Sequence, residues 1–183
     1  MTLTTQSALL LLERDREQVA VQLDRLDQLA ESAISEMQVL ISRLAPEVVP
    51  GGGLVGALQR HLEERRRMDN LIVTLDVQGA QPLDPIEDAG LFRIAQETLN
   101  NVVKHARVSQ AVIRLRLTEP FRIDVEDRGT GFDPQQTRGA GRMGMTGMSE
   151  CAAEIGWTLQ VESSPGNGTR IRVEKDPGGV IKT

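Results

Sequence analysis

The sequence predicts an α+β fold: a two-layer sandwich with helices on one face of a mixed sheet of about five strands, preceded by a long helix of a helical bundle. Three observations lead to this class. Five short segments alternate apolar and polar residues, as strands with one buried face do. The helical segments do not alternate regularly with them, as they would in a Rossmann fold. An uninterrupted heptad pattern precedes all of these segments.

The long helix is predicted over residues 17–45. Its apolar positions are spaced alternately by four and three residues: Val19, Leu23, Leu26, Ala30, Ala33, Met37, Leu40 and Leu44. Ile34 and Ile41 widen this seam, which suits a helical bundle better than a two-stranded coil. Prolines and a glycine triplet at 46–53 end the helix. We therefore expect a homodimer through residues 17–45.

The remaining elements follow from apolar periodicity, with glycine and proline between them. In chain order the sequence predicts a helix from Leu54 that buries Leu58 and Leu62, a strand at 71–77, a loop at 79–85 and a helix at 86–105. Strands at 111–117 and 121–127 and a glycine-rich stretch at 129–144 follow. The last predicted elements are a short helix to about residue 155 and strands at 157–162 and 169–174.

The composition excludes several classes of protein. The net charge of −5 and an aromatic content of 2% argue against a nucleic-acid binder. The single cysteine, Cys151, excludes an intrachain disulfide and a cysteine-cluster metal site. We find neither an apolar run of about 20 residues, which a membrane span needs, nor a secretory leader. We therefore expect a cytoplasmic protein.

The first candidate site lies on the helix at 86–105. Glu97, Asn101 and Lys104 are spaced by four and three residues and so share one face, apart from the apolar stripe of this helix. A carboxylate, an amide oxygen and an ammonium group in line can polarise a water, ligate Mg²⁺ and contact a phosphate. The alternative is a solvated face with an ordinary ion pair.

The second candidate is Asp127, at the end of the strand 121–127. It has the same parity as the apolar residues of that strand, so its carboxylate points to the buried side. Gly129 and Gly131 follow, where a flat ligand can approach the backbone. A carboxylate held there can accept the exocyclic amine of adenine, although many plain hairpins contain the same motif.

Two further glycine motifs follow. The segment 139–148 opens a helix, whose N-terminal amides can bind phosphate, although a flexible surface loop is an equal alternative. The motif 166–169 is more typical of a hairpin turn than of a ligand contact.

Together these motifs resemble the Bergerat ATP-binding fold of gyrase-type ATPases and sensor histidine kinases. Residues 92–106 are similar to the N box of nitrate-sensor/DesK-like histidine kinases. Residues 127–133 resemble their G1 box, 144–148 the G2 box, and 166–169 the closing motif. Segments 36–46 and 53–58 look like the end of the family's dimerisation bundle and its joint.

The resemblance implies three regions. Residues 1–50 would be part of a dimerisation and phosphotransfer segment without the acceptor histidine. Residues 51–176 would be an ATP-binding catalytic domain, and 177–183 a tail.

The resemblance also implies ATP and Mg²⁺ as cofactors and assigns roles to single residues. Asn101 would ligate Mg²⁺, and the carboxylate of Glu97 would face the γ-phosphate. Lys104 and His105 would contact phosphates or ribose, and Asp127 would bind adenine N6. The other implied cofactor-binding residues lie in the glycine motifs: Gly129, Gly131, Gly144, Gly147 and Thr169. Residues 132–143 would form a lid over the nucleotide.

The chain departs from the family at the phosphoacceptor. Its two histidines are His61, which we interpret as a surface residue, and His105, which belongs to the N box. We expect the acceptor histidine upstream in a longer protein or in a partner, so that phosphorylation within this chain is impossible.

The predicted function is that of the ATP-binding catalytic domain of a two-component sensor histidine kinase, an ATP-dependent protein histidine kinase with a response regulator as partner. We expect no nucleic-acid partner, and membrane attachment only through upstream regions. The alternatives are an anti-sigma-type serine kinase on the same fold and a non-catalytic nucleotide-binding scaffold.

Overall fold

The computed structural model describes residues 52–134 and 140–175, with the backbone alone at 140–143, and places Gln22 and Leu26 in a helix. The chain divides into two compact units, Met1–Ala45 and Pro46–Thr183. Apart from Gln22 and Leu26, the predicted helix at 17–45 lies outside the described residues, as does the tail 177–183.

The elements of the second unit are α1 (Gly53–Met68), β1 (Ile72–Gly79), α2 (Pro85–Asn101), β2 (Gln110–Leu117), β3 (Arg122–Asp127), α3 (Ala140–Glu154), β4 (Trp157–Ser163) and β5 (Thr169–Lys175). A π-helical turn, Val102–Ala106, continues α2. None of the helices in the described ranges has the length and apolarity to cross a bilayer.

The five described strands form one mixed sheet in the order β1-β2-β3-β5-β4. β1 and β2 are parallel, and the other neighbours are antiparallel. Helix α2 contacts both α1 and α3, and each of the three helices contacts the sheet. The predicted fold class, an α+β sandwich with a mixed sheet, is confirmed.

The core lies between the helices and one face of the sheet. Alternate residues of the central strands are buried, among them Ile113, Leu115 and Ile123, because successive side chains of a strand point to opposite faces. The predicted apolar stripe of α2 and the turn that continues it is buried against them: Leu91, Ala95, Leu99 and Val102. On the edge strand β4, Trp157 is also buried.

The N-terminus of α2 is held by Glu87. Its carboxylate accepts hydrogen bonds from the Asp84 backbone N–H (3.1 Å), from Trp157 Nε1 (3.0 Å) and from Lys175 Nζ (2.7 Å). Asp84 caps the helix in return by accepting from the Ile86 N–H at 2.9 Å. Burial opposes ionisation of Glu87, but the hydrogen bonds from Lys175, Trp157 and Asp84 outweigh it and lower the pKa. The start of α2 is thereby tied to β4 and β5.

The outer face of the sheet, opposite the helices, carries ion pairs. Glu126 on β3 accepts from Arg114 at 2.7 Å and from Arg170 at 2.8 Å, one on each neighbouring strand. These two guanidinium groups lower its pKa to about 2. Asp124, two residues earlier, is only 3% exposed and pairs with Arg172 at 2.9 Å. Cross-strand charges therefore stabilise this face.

The interpretation of His61 as a surface residue is wrong. His61 is 9% exposed and packs edge-on against the Phe92 ring, with centroids 5.7 Å apart. Its Nε2 accepts from Arg65 Nε at 3.3 Å. Burial and then the charge of Arg65 lower its pKa. The physical reason is helical spacing, since His61 follows Leu54 and Leu58 on the buried side of α1.

Candidate functional site

The exposed side of α2 carries the first predicted site. Glu97 and Asn101 are half-buried, whereas the nearby Ile94, Thr98 and Leu99 face the core. One side of the helix therefore packs, and the other presents a carboxylate and an amide oxygen one turn apart. These are the hard oxygen ligands that Mg²⁺ accepts together with phosphate oxygens and water.

Lys104 and His105 lie on the π-helical turn that continues α2, and both are exposed. The wider turn was not predicted from the sequence, which indicated regular helix to residue 105. Short π-helical segments are rare and occur often at functional sites, because the extra residue redirects side chains. Both side chains therefore lie at the end of α2 that also bears Asn101.

The π-helical turn is bonded to the segment after Asp127. The Thr130 N–H donates to the Ala106 carbonyl at 2.9 Å, and Thr130 Oγ1 donates to the His105 carbonyl at 3.0 Å. A Cβ on Gly129 would lie 2.3 Å from the Ala106 oxygen, so the approach requires glycine. The motif of Asp127 and the end of α2 are thus neighbours.

Asp127 is 6% exposed and ends β3 on the helix side, as its parity predicts. Its Oδ1 accepts from the Gly129 N–H at 2.7 Å. Burial raises the pKa of Asp127, the backbone N–H groups of Gly129 and Thr169 partly oppose this, and nearby Glu126 adds to it. A carboxylate with two backbone donors keeps acceptor capacity for an N–H group of a ligand.

Three polar side chains form a row across the ends of β3, β5 and β4. Asp127 pairs in register with Thr169, and Thr169 pairs with Ser163, so all three point to the same face. They line an open cavity of about 490 Å³. Sequence reasoning missed Ser163, because the predicted strand stopped at residue 162. The pairing of the closing hairpin was the signal that could have identified it.

Two further glycines are required by close backbone packing. Gly131 has φ +56°, and a Cβ there would lie 2.2 Å from the Ser164 carbonyl oxygen. Gly168 has φ +74°, and its Cβ would lie 2.1 Å from the Asp127 carbonyl oxygen. Gly168 was not among the predicted site residues. The hairpin after β4 therefore supports Asp127 directly, which a simple surface turn would not do.

The start of α3 differs from the prediction. The helix begins at Ala140, so Gly144, which was predicted to end the glycine-rich stretch before it, lies within the helix, as does Gly147. The amides without helical partners therefore belong to the first turn, residues 140–143. Of the predicted lid at 132–143, residues 135–139 lie outside the described residues.

Helix α3 packs on α2 through the predicted glycine motif. A Cβ on Gly144 would lie 3.0 Å from Glu97 Oε1, whereas a Cβ on Gly147 would meet no described atom within 4 Å. Met148 is buried, and its sulfur accepts from Thr98 Oγ1 at 3.5 Å. Gly144 is thus adjacent to the carboxylate of the first candidate site, and Gly147 leaves open space.

Comparison with known proteins agrees with this geometry. Residues 87–178 match the family described as histidine kinase-, DNA gyrase B-, and HSP90-like ATPase. The sensor histidine kinase LiaS of Bacillus subtilis is 35% identical over 149 residues, which are 81% of this chain and 41% of LiaS. An uncharacterised sensor-like histidine kinase of Chloroflexus aurantiacus is 30% identical over 173 residues, 89% of this chain and 29% of that protein. The chain spans less than half the length of these relatives.

Solved structures share the fold. The histidine kinase domain from the blue-light activated kinase of Erythrobacter litoralis aligns with a TM-score of 0.52 at 20% identity, covering 67% of this chain and 60% of that one. The histidine kinase AdeS of Acinetobacter baumannii aligns with a TM-score of 0.59 at 11% identity, covering 97% and 93%. At these identities the likeness concerns the fold alone.

Proposed function

Because the chain belongs to the histidine kinase-, DNA gyrase B-, and HSP90-like ATPase family, with residues 87–178 as its ATPase domain, we propose that it positions Mg-ATP for phosphoryl transfer to a histidine outside this chain. The chain carries the ATP-binding catalytic domain of a sensor histidine kinase, as the resemblance implied. The complete kinase reaction, its acceptor and its partners belong to the proposal.

The observation that carries the proposal is the buried carboxylate of Asp127. It lies at a strand end beside an open cavity, and its pKa is raised because the surroundings disfavour charge. Burial of a carboxylate costs free energy unless a hydrogen-bond donor or an opposite charge pairs with it. The exocyclic amine of adenine is a suitable partner, since it donates the hydrogen bond that the carboxylate accepts.

The phosphates would extend from this base toward the end of α2. Thr130 joins that end to the segment after Asp127, which supports one continuous site. Lys104 and His105 would contact the phosphates, and Gly129, Gly131 and Thr169 would surround the base. Gly144 and Gly147 would border the phosphates from α3, with the side of Gly147 left open for them.

Asn101 would hold Mg²⁺ together with oxygens of the phosphates. The part of the chain that the structure describes contains no cluster of three or more acidic, histidine or cysteine side chains, which fits a magnesium ion held mainly by nucleotide and water. When bound, Mg²⁺ neutralises phosphate charge during transfer. The Glu97 carboxylate, one turn away on the same face, would orient the attacking imidazole and hold its proton.

The longer protein would supply the remaining parts. We propose that residues 1–50 belong to a dimerisation segment and residues 51–176 to the catalytic domain, followed by a tail. The acceptor histidine and the response regulator that receives its phosphoryl group would be outside this chain. The names of the relatives, which are sensor histidine kinases, support this arrangement.

The substitution Asp127→Asn tests the base-binding role. The amide keeps the shape of the side chain but directs an N–H toward the amino group of adenine, so we expect at least a tenfold loss of ATP affinity, about 1.4 kcal/mol. Asp76→Asn on the exposed face of β1 is the matched control and leaves the affinity unchanged. Equal ATP affinity in Asp127→Asn and Asp76→Asn would contradict the assignment.

A further inference from the structure

The Ser163 hydroxyl has three polar neighbours. It accepts from the Phe132 backbone N–H at 2.9 Å, it donates to the Gly168 carbonyl at 2.9 Å, and its oxygen lies 3.0 Å from Thr169 Oγ1. Either hydroxyl of the Ser163–Thr169 pair could donate on distance alone. The direction of this bond follows from counting protons.

A hydroxyl has one proton and two acceptor lone pairs. The Gly168 carbonyl can only accept, and Gly168 is buried, where a carbonyl without a hydrogen bond is costly. Ser163 therefore gives its proton to Gly168. Its lone pairs then accept from Phe132 and from Thr169, so the proton of the Thr169 hydroxyl points to Ser163.

This direction determines what Thr169 offers to a ligand. With its proton engaged by Ser163, the Thr169 oxygen presents lone pairs alone. Its neighbour in the row, Asp127, is a carboxylate that also presents lone pairs. Two side chains on one face at the strand ends are then acceptors without a proton to donate.

We propose that Ser163 is a specificity-determining positioning residue. Its hydroxyl engages the proton of Thr169, so that Thr169 and Asp127 together favour a base with an amino group and disfavour one with a carbonyl oxygen at that position. The inference rests on the proposed nucleotide site and deepens it, because it names the residue that sets the hydrogen-bond direction in its base pocket.

The experiment compares the affinities of ATP and of inosine triphosphate, which carries an oxygen in place of the adenine amino group. Each nucleotide is titrated with Mg²⁺ into the full chain. In Ser163→Ala the Thr169 hydroxyl can rotate and donate to that oxygen. We expect the preference for ATP over inosine triphosphate to fall by about fivefold to tenfold. If Ser163 had only a structural role, Ser163→Ala would lower the affinities for both nucleotides equally and leave their ratio unchanged.

Two further variants make the result specific. Ser164→Ala removes a neighbouring exposed hydroxyl that contacts Asn167, and it keeps the wild-type ratio. In a Thr169→Val background, Ser163→Ala no longer changes the ratio, because the residue through which it acts is absent. Thermal unfolding verifies that each variant is folded, and Thr169→Ala, which also lacks the hydroxyl, replaces Thr169→Val as the background if the latter does not fold.

The outcomes separate the two proposals. Binding of neither nucleotide by the folded wild-type chain contradicts the proposed function itself. Binding of ATP with an unchanged ratio in folded Ser163→Ala contradicts the role of Ser163 alone. If Ser163→Ala changes the ratio of ATP to inosine triphosphate affinity equally in the Thr169→Val background, Ser163 does not act through Thr169.

Discussion

At the scale of the residue, the proposed nucleotide site depends on Asp127, whose burial raises its pKa above the ordinary value of 3.8. Strand parity predicted that this side chain points inward, because the apolar residues Ile123 and Val125 define the buried face. The hydrogen bonds that hold it could not be predicted. They come from Gly129 and Thr169, and the second is 42 residues away in the chain.

The raised pKa predicts how ATP binding depends on pH. A protonated Asp127 has less acceptor capacity, and its raised pKa places protonation at a higher pH than for an ordinary aspartate. We expect ATP affinity to fall as the pH is lowered toward about 4 more steeply in the wild-type chain than in Asp127→Asn. Titration of the nucleotide phosphates affects both proteins equally. Parallel pH profiles would contradict the prediction.

Substitution of Gly147 should change the free energy of unfolding and the ATP affinity in opposite directions. A Cβ there meets no described atom within 4 Å, so Gly147→Ala should raise the free energy of unfolding by up to about 1 kcal/mol through helix propensity. If the open side of Gly147 borders the phosphates, the same variant binds ATP more weakly. Denaturant unfolding and ATP titration measure the two effects.

Gly131→Ala is the matched comparison for Gly147→Ala. Its positive φ and the 2.2 Å approach to the Ser164 carbonyl predict a loss of at least about 2 kcal/mol of stability. A stable Gly131→Ala would contradict the packing of the hairpin on this segment. A destabilised Gly147→Ala would contradict the open side of α3.

At the scale of the element, periodicity was sufficient for the strands and for α1 and α2, because one face of each is buried in a single core. It failed where local sequence does not decide the geometry. The π-helical turn is held by carbonyl bonds to Thr130, which is distant in sequence. Helix α3 likewise begins at Ala140, within the glycine-rich stretch predicted to precede it.

The outer face of the sheet gives a prediction for the strands. The pKa of Glu126 is lowered from 4.5 to about 2 by Arg170 and Arg114, so its ion pairs stabilise the fold fully above pH 4.5 and are lost as pH falls toward 2. We expect Glu126→Gln to reduce the free energy of unfolding by about 1 kcal/mol at neutral pH, allowing for partial solvent screening.

The pH dependence distinguishes this effect from a loss of packing. The difference between wild type and Glu126→Gln should shrink as pH falls from 4.5 toward 2, measured by denaturant unfolding. Glu119→Gln, an exposed residue in the turn before β3, is the control and changes stability little. A difference that is constant with pH would contradict the ion-pair account.

At the scale of the whole molecule, four motifs in the order of the Bergerat fold predicted the ATPase fold, and the family match over residues 87–178 agrees with it. The charged neighbours of His61 suggest a surface position, but its helical spacing from Leu54 and Leu58 places it on the buried side of α1, against Phe92. This burial makes His61 a poor acceptor for a phosphoryl group.

We therefore expect the chain to bind ATP without labelling itself. Incubation with γ-labelled ATP and Mg²⁺ should leave the chain unlabelled, whereas a longer protein with the acceptor helix should gain a phosphoryl group. The acid stability of the label distinguishes a histidine kinase from a serine kinase, because phosphohistidine is labile in acid and phosphoserine is not. Acid-stable labelling would favour the serine-kinase alternative, and labelling of this chain at His61 would contradict its described burial.

The most direct measurement is calorimetric titration of ATP into this chain, first with Mg²⁺ and then with EDTA. The account predicts one site per chain and a clear loss of affinity when EDTA removes the metal, because Asn101 and the phosphates would share it. No binding to the folded chain at about millimolar nucleotide, an affinity near −4 kcal/mol, would contradict the central claim that Asp127 and the end of α2 form a nucleotide site.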